Sequence, residues 1–406
     1  MRKFSSDLCI IVNRFQRSCS MALRSHRSVM PAVVVLLATS ACGAHAVPTS
    51  NGANPAPLIA RAAATVGRPA DTTSILKKLT KDVVIGSTVD AQNGDEGPRA
   101  LTIALCRNCH GLLTKGQLVV CNFENSAGVA GQGTTIEALD PKPGSSPVRF
   151  FQGDSIKGCD GDALNPHDGA AYAAGLTSGD IVEITKEGKA TKTYSGKTIN
   201  APFADAAADP TQNFSPLYIY AGDTAAGGII SLSIGFYGNG KAIQVAKGFG
   251  VSSGSAQSEL APSGLQYNRK LDTLYIVDGV TNTVVAFSNS SQLLDKDEIV
   301  VKPGGKTFSC KYPKTTCASL VYSGSPLNAP MASALLPNGN LVVANTQGTA
   351  NTLVELTPAG QVLDTKVIDT SSTQGVFGLA ASGTNDSNTV IYFTDTNSNN
   401  IQELEQ

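Results

Sequence analysis

One two-part unit recurs along this chain, and nothing else in the sequence constrains its fold as strongly. One part is a strand ending in Asn or Asp, a polar turn, and a second strand. It reads "LVVCNFENSAGVAGQGTTIEAL", "LYIVDGVTNTVVAF", "LVVANTQGTANTLVEL" and "IYFTDTNSNNIQEL", with a looser copy in "LYIYAGDTAAGGIISL". The matched polar positions are Asn122, Asp278, Asn345 and Asp395. The other part lies just upstream: a Pro or Gly, one variable residue, a small residue, then a short apolar strand. Its copies are "GPRALTIA", "APFADAAA", "APSGLQYN", "APMASALL" and "GVFGLAAS", and "NPHDGAAYAA" is a copy with one extra residue. Starting points at about 97, 166, 201, 261, 329 and 375 give six units.

Each unit offers three or four short strands rich in β-branched and aromatic residues, separated by Gly, Asn and Asp turns. The 40 glycines, 20 prolines and 16% charged residues suit many short strands better than long helices. One small sheet cannot bury both of its faces alone. Stacking such sheets radially around an axis buries every face and leaves only short edges, so the fold class expected is an all-β, six-bladed β-propeller. The small residue at the start of each inner strand would sit where the blades converge. After "NIQELEQ" the last unit is one strand short, while "ILKKLTKDVVIG" (residues 75–86) has no blade of its own. We expect this N-terminal strand to close the last blade.

The segments "APSGLQYNRKLDTLYIVDGVTNTVVAF" and "APMASALLPNGNLVVANTQGTANTLVEL" resemble NHL-type repeats. The chain is also similar to a group of exported bacterial propellers of uncharacterised role, through "CNFENSAGVAGQGTTIEAL" in the first unit. The resemblance runs over most of residues 97–406, and the propeller domain is expected over residues 74–406. It leaves function open, because propellers host binding, scaffolding and several chemistries. Some six-bladed propellers are lactonases or related hydrolases, with a metal held by Glu, Asn and Asp at the channel mouth. The mouth expected here exposes Arg99, His167, Asp168, Phe203, Ser263, Met331 and Phe377, with Asp205 and Asn328 as further oxygen donors. That set is mixed, with a single carboxylate beyond Asp205, and assembles no triad. No G-x-S-x-G elbow, H-E-x-x-H or phosphate loop occurs.

Residues 1–46 read as an export signal. Arg24 and Arg27 precede the apolar run "VMPAVVVLLATSA", which is too short to span a bilayer as a helix. Two processing sites compete: "ATSAC", which would place a lipid on Cys42, and "AHA" at residues 44–46. Residues 47–73, rich in Pro, Ala, Gly and Thr, read as a flexible linker. The signal contains six of the 31 basic residues and one of the 32 acidic ones, so the remainder carries 25 against 31, a net of −6. No basic stripe is present, and nucleic-acid binding is disfavoured. The expected location is the periplasm, or the outer membrane through a lipid on Cys42, with no other membrane contact.

Six cysteines follow the signal, an even number that suits disulfides in an exported chain. Cys310 and Cys317 bracket "CKYPKTTC" and are the expected pair. The stretch Cys106-Arg107-Asn108-Cys109-His110 has the C-x-x-C-H spacing of c-type haem attachment, in which two thiols take the vinyl groups and the His meets the iron. Against haem, the motif joins two strands rather than helices. His167 and Met331, the other candidate axial ligands, are expected at the far mouth, about 17–20 Å away along an inner strand. The expected alternative is a disulfide, either Cys106 with Cys109 or pairings with Cys121 and Cys159. A metal held by Cys106, Cys109, His110 and Cys121 is a third reading. The turn "DTNSNN" (Asp395, Asn397, Asn399) starts like a calcium loop, but lacks its Gly and its final Glu. The reading carried forward is a monomeric, non-catalytic binding protein without a cofactor, whose partner is a protein, peptide or glycan. A c-type haem protein and a metal-dependent hydrolase are the alternatives.

Overall fold

The structure, a computed structural model, describes residues 72–107, 109–210, 216–235, 240–252 and 260–406. The signal segment, Cys42, the linker up to residue 71 and Asn108 of the cysteine motif lie outside the described residues. The chain forms an all-β propeller. A 3-10 turn at Leu76–Lys78 leads into β1 (Lys81–Ser87). The first full sheet follows: β2 (Glu96–Ile103), β3 (Leu118–Glu124), β4 (Ala130–Leu139) and β5 (Val148–Gln152). The second holds β6 (Cys159–Leu164), β7 (Ala171–Gly175), β8 (Asp180–Ile184) and β9 (Ala190–Tyr194). The third begins with β10 (Pro202–Ala208), β11 (Leu217–Asp223), β12 (Gly228–Ile234) and β13 (Lys241–Lys247).

The fourth sheet holds β14 (Pro262–Asn268), β15 (Thr273–Asp278) and β16 (Thr283–Ser288). Here the chain makes a detour. It adds β17 (Ile299–Val301), parallel to β13, and β18 (Phe308–Cys310) to the third sheet. It then returns as β19 (Cys317–Ser323) to complete the fourth. The fifth sheet is β20 (Pro330–Leu335), β21 (Leu341–Asn345), β22 (Asn351–Leu356) and β23 (Val362–Asp369). The sixth is β24 (Leu379–Ser382), β25 (Val390–Asp395), β26 (Asn400–Glu405) and, as its outer strand, β1. The expected closure by the N-terminal segment is therefore present: Lys81 lies opposite Glu405 and Ser87 opposite Asn400.

The period of 2 along a strand explains how the ring is held. In β15, Leu274 and Ile276 point into one apolar layer, while Tyr275 and Val277 point into the next. Among the described residues six such layers lie between neighbouring sheets, the last joining Leu101, Ile103 and Val120 of the first sheet to Tyr392 and Ile401 of the sixth. Strands buried on both faces read as near-continuous apolar runs, and every residue of β11 is buried. The outermost strands meet water, and β23 has no buried residue.

The inner strands β2, β6, β10, β14, β20 and β24 stand side by side around the axis, with β24 returning to β2. Five of them carry an irregularity near their start, as between Arg99 and Leu101 or between Pro330 and Ala332. Such bulges re-aim side chains. The small residues sit at this crowding: a Cβ on Gly378 would lie 2.7 Å from the backbone of Ala100. Gly264, at φ +51°, is needed both for its conformation and for its approach to Ala332.

One unit is displaced from its expected position. The inner strand of the second sheet is Cys159–Leu164, whereas "NPHDGAAYAA" forms the turn after it and β7. Cys159 stands where the other units carry Pro or Val, so the repeat signal shifted to Pro166. Among the described residues no helix is long and apolar enough to cross a membrane.

Candidate functional site

The starts of the inner strands converge on a plug. Arg99, Asp160, Phe203, Ser263 and Met331 hold matching positions on five inner strands, Phe377 holds the corresponding place just before β24, and all are buried. Of the expected mouth residues, the structure thus brings together Arg99, Phe203, Ser263, Met331 and Phe377. Asp160 is the member that sequence reasoning missed. The Arg99 guanidinium donates to Asp160 Oδ2 across 3.2 Å, with both side chains almost wholly buried. It is sandwiched between the rings of Phe123 at 3.8 Å and Phe377 at 4.0 Å. Phe203, Leu260, Ala261, Ala329, Met331 and Phe377 pack as one apolar cluster around it. The Phe377 turn is fixed by Thr394, whose hydroxyl accepts from the Gly378 N–H at 2.8 Å. This mouth is closed by packing, not lined by open ligands.

His167 and Asp168 are corrected to the opposite end, in the turn after β6. His167 is buried there, with its Nε2 2.8 Å from Asp209 Oδ2. Arg269 donates to the same carboxylate at 2.8 Å and to the Asp209 carbonyl at 2.9 Å. The arrangement clips together the second, third and fourth sheets. Asp168 is exposed and its carboxylate accepts from the Ala170 N–H. Asn328 is exposed and donates to the Gln347 carbonyl. For Asp205, only its place in β10 is described.

Between the plug and that end lies a cavity of about 270 Å³ along the ring axis. Its walls are inner-strand residues, including Asp162, Leu265, Ser333 and Leu379, and its outer rim includes Leu105, Pro166 and Tyr267. Leu105 is 60% exposed. Two side-chain donors in the wall point at backbone rather than inward. Gln266 Nε2 donates to the Ser333 carbonyl at 2.8 Å, and the Ser333 hydroxyl donates to the Gly264 carbonyl.

The cysteine motif forms part of the same rim. Cys106 and Cys109 are joined as a disulfide, buried, and packed between the first and second sheets. Cys106 also touches the cavity. The loop is pinned by an Arg107 N–H donating to the Pro166 carbonyl. His167 is therefore near the motif, not at the far mouth, which corrects one argument made against haem. The disulfide supplies a stronger one: it engages both thiols that covalent haem attachment needs, and His110 is exposed. Cys121 pairs with Cys159, so it does not join Cys106, Cys109 and His110 as a fourth metal ligand. Cys310 pairs with Cys317, as expected.

The repeat carboxylates and amides act as turn locks. Asp278 Oδ1 accepts from the Val280 and Thr281 N–H groups, and Asn345 donates to the Pro326 carbonyl. In the candidate calcium turn, Asp395 accepts from the Asn397 N–H, Asn397 donates to Asp369, and Asn399 donates to Glu96. These contacts are the same kind of turn chemistry. Among the described residues no group of three or more His, Cys, Asp or Glu is placed to hold a metal.

A second buried polar group lies in the first sheet, away from the cavity. Arg149 binds the Asp90 carboxylate through Nε at 2.7 Å and through Nη2. Burial and the Asp90 charge push the Glu137 carboxyl up to about 9, so it is protonated at neutral pH. Asp90 is held well below the usual carboxylate range by hydrogen bonds from Arg149, Glu137 and two backbone N–H groups, which outweigh its desolvation. Neither residue stood out in the sequence, since Glu137 alternates with apolar neighbours on β4.

No protein-family model matches the chain, and no curated protein matches its sequence. Solved structures do match. A putative gluconolactonase has a TM-score of 0.49 at 13% identity, over 80% of this chain and 91% of that one. Virginiamycin B lyase from Staphylococcus aureus has a TM-score of 0.45 at 13% identity, over 80% of this chain and 99% of that one. A chain of the nidogen/laminin complex has a TM-score of 0.50 at 13% identity, over 75% of this chain and 98% of that one. At that identity the likeness is one of fold alone, that of an all-β propeller.

Proposed function

We propose that this chain is an exported, NHL-type, six-bladed propeller of the bacterial envelope that works by binding and does no chemistry of its own. The observation that carries the reading is the blind axial cavity: plugged at one end by Arg99 and Asp160, and bounded at the other by Leu105, Pro166 and Tyr267. A concave site on a rigid ring is the usual setting for ligand recognition. Its volume suits a small molecule, or one side group of a larger protein, peptide or glycan partner. Six sheets with six apolar layers support the six-bladed reading. The oxygen donor that a hydrolase would use at the plugged mouth, Asp160, is committed to Arg99.

The test is a screen of small molecules, short peptides and oligosaccharides by saturation-transfer NMR. It compares the wild type with Thr102→Lys, which places a long side chain in the cavity wall. Ligands lost in the variant and recovered unchanged after long incubation are expected. No variant-sensitive ligand, or a ligand that is consumed, would overturn the proposal.

A further inference from the structure

The two ends of the ring differ in what they show to solvent. Five large apolar side chains stand on loops at the end where the axial cavity opens, opposite the plug: Leu105 and Leu112 after β2, Leu271 after β14, and Leu294 and Tyr312 on either side of the β17–β18 hairpin. Each is between 44% and 60% exposed. Leu294 and Tyr312 belong to this end because the Ser290 N–H donates to the Asp272 carbonyl, in the turn that holds Leu271, and the Tyr312 hydroxyl donates to Asp295. Among the described residues the plug end shows only valines of this kind, Val129, Val251 and Val280. The loops of the cavity end are also basic. Lys77, Arg107, Lys115, Lys189, Lys270 and Lys314 are exposed there and make no ion pair among the described residues. Against these six, the exposed side-chain carboxylates on the described loops of this end are Asp168 and Glu187. This end is therefore cationic, although the chain beyond residue 46 sums to −6.

The leucines sit on opposite sides of the cavity mouth, since the first and fourth of six sheets face each other across the axis. A globular partner is gripped by one apolar cluster near the centre of the contact. Here the centre is an opening and the apolar groups surround it, which suits a broad, flat surface. Leucine, tyrosine and lysine side by side are the composition of a surface that lies in a lipid interface. The chain also enters the ring at this end. Ser74 Oγ and the Leu76 N–H both donate to Glu355, whose other oxygen accepts from Asn340 beside the β20–β21 turn. Residues 1–71, with the expected lipid site Cys42, are joined to the ring here. We propose that the cavity end of the ring rests on an anionic phospholipid membrane, with the five apolar side chains entering the interface and the six cations facing headgroup phosphates. No single sequence run marks this contact, because its residues come from separate loops. It goes beyond the cavity reading and does not depend on it.

The chain has no Trp, so a single introduced Trp reports its own surroundings. The full chain carrying Leu112→Trp, Leu271→Trp or Val280→Trp is mixed with phosphatidylcholine vesicles, with or without phosphatidylglycerol, prepared with and without brominated acyl chains. On anionic vesicles the emission of Leu112→Trp and Leu271→Trp should shift to the blue and be quenched by the bromolipid, while that of Val280→Trp at the plug end should not. On phosphatidylcholine alone no reporter should respond, which separates docking of this face from anchoring through residues 1–71. Either loop reporter suffices if the other variant does not fold. Adding Lys115→Glu and Lys270→Glu should weaken the anionic binding about ten-fold or more, since each cation near such a surface contributes about five-fold. Equal burial of Val280→Trp, equal burial on neutral vesicles, no quenching of either loop reporter, or binding unchanged by the two charge reversals overturns the proposal. So does a blue shift without vesicles that grows with protein concentration, which would assign the face to a second copy of this chain.

Discussion

Arg99 offers the sharpest test of how the ring is held. It stands on the first sheet, pairs with Asp160 on the second, and is covered by Phe377 at the entry to the sixth. Replacing it by Met keeps much of the stem but leaves Asp160 buried without its counter-charge. Breaking one side of a buried pair costs about 3–5 kcal/mol. The two stacked rings account for about 2 kcal/mol of what Arg99 contributes. With an unfolding entropy of roughly 0.7 kcal/mol/K for a domain of this size, the melting temperature should fall by about 4–7 °C. The assay is calorimetry at neutral pH on Arg99→Met, Asp160→Leu and the double variant. The double variant should recover most of the loss, because an apolar pair of similar volume avoids desolvating both charges. A single-variant cost below about 1 kcal/mol, or effects that simply add, would refute the idea that the plug is a coupled ion pair.

Three other outcomes follow from the packing. Cys121→Ser with Cys159→Ser removes a staple between the first two sheets, closing a separation of 38 residues; it should cost about 2–4 kcal/mol in urea titrations. Native Glu137 keeps a proton that the unfolded chain gives up above 4.5, so its contribution falls as pH rises from there toward about 9. Glu137→Gln should therefore gain on wild type across that window, read as the difference in melting temperature at pH 5, 7 and 9; a constant difference would count against it. Deleting the chain through Ser87 removes β1 and the buried Ile75, Leu76, Leu79 and Ile85. Loss of the cooperative transition and a rise in dye binding are expected, checked by near-ultraviolet dichroism and ANS fluorescence.

The recurring unit made the sheets legible, because a period of 2 and a turn with a fixed Asp or Asn survive in a single sequence. The closing strand was legible too, since "ILKKLTKDVVIG" had no sheet of its own and the last unit lacked one. In the second unit Cys159 replaces the usual Pro, and Asn165–Gly169 imitates the repeat signal. That single shift moved His167 and Asp168 to the wrong end and hid Asp160. The detour through β17 and β18 was not foreseen. Three-residue strands carry too little pattern, and parallel pairing with β13 is a property of the assembled ring. Disulfides were legible in number, and Cys310 with Cys317 in pairing. Cys121 with Cys159 needed the alignment of two sheets to become visible.

The seam between β1 and β26 also sets an order of events. Its partners are 324 residues apart, as in the contact of Lys81 with Glu405. Bringing such distant ends together costs about 5 kcal/mol of chain entropy by logarithmic scaling, before any constant term. Contacts this remote form slowly. The strand nearest the start must therefore wait for the strand nearest the end, while every other sheet assembles largely from adjacent segments. In the interval β26 presents an unpaired edge, the kind of surface on which chains join wrongly. Whatever hastens that final pairing shortens the time for which this edge is open to other chains.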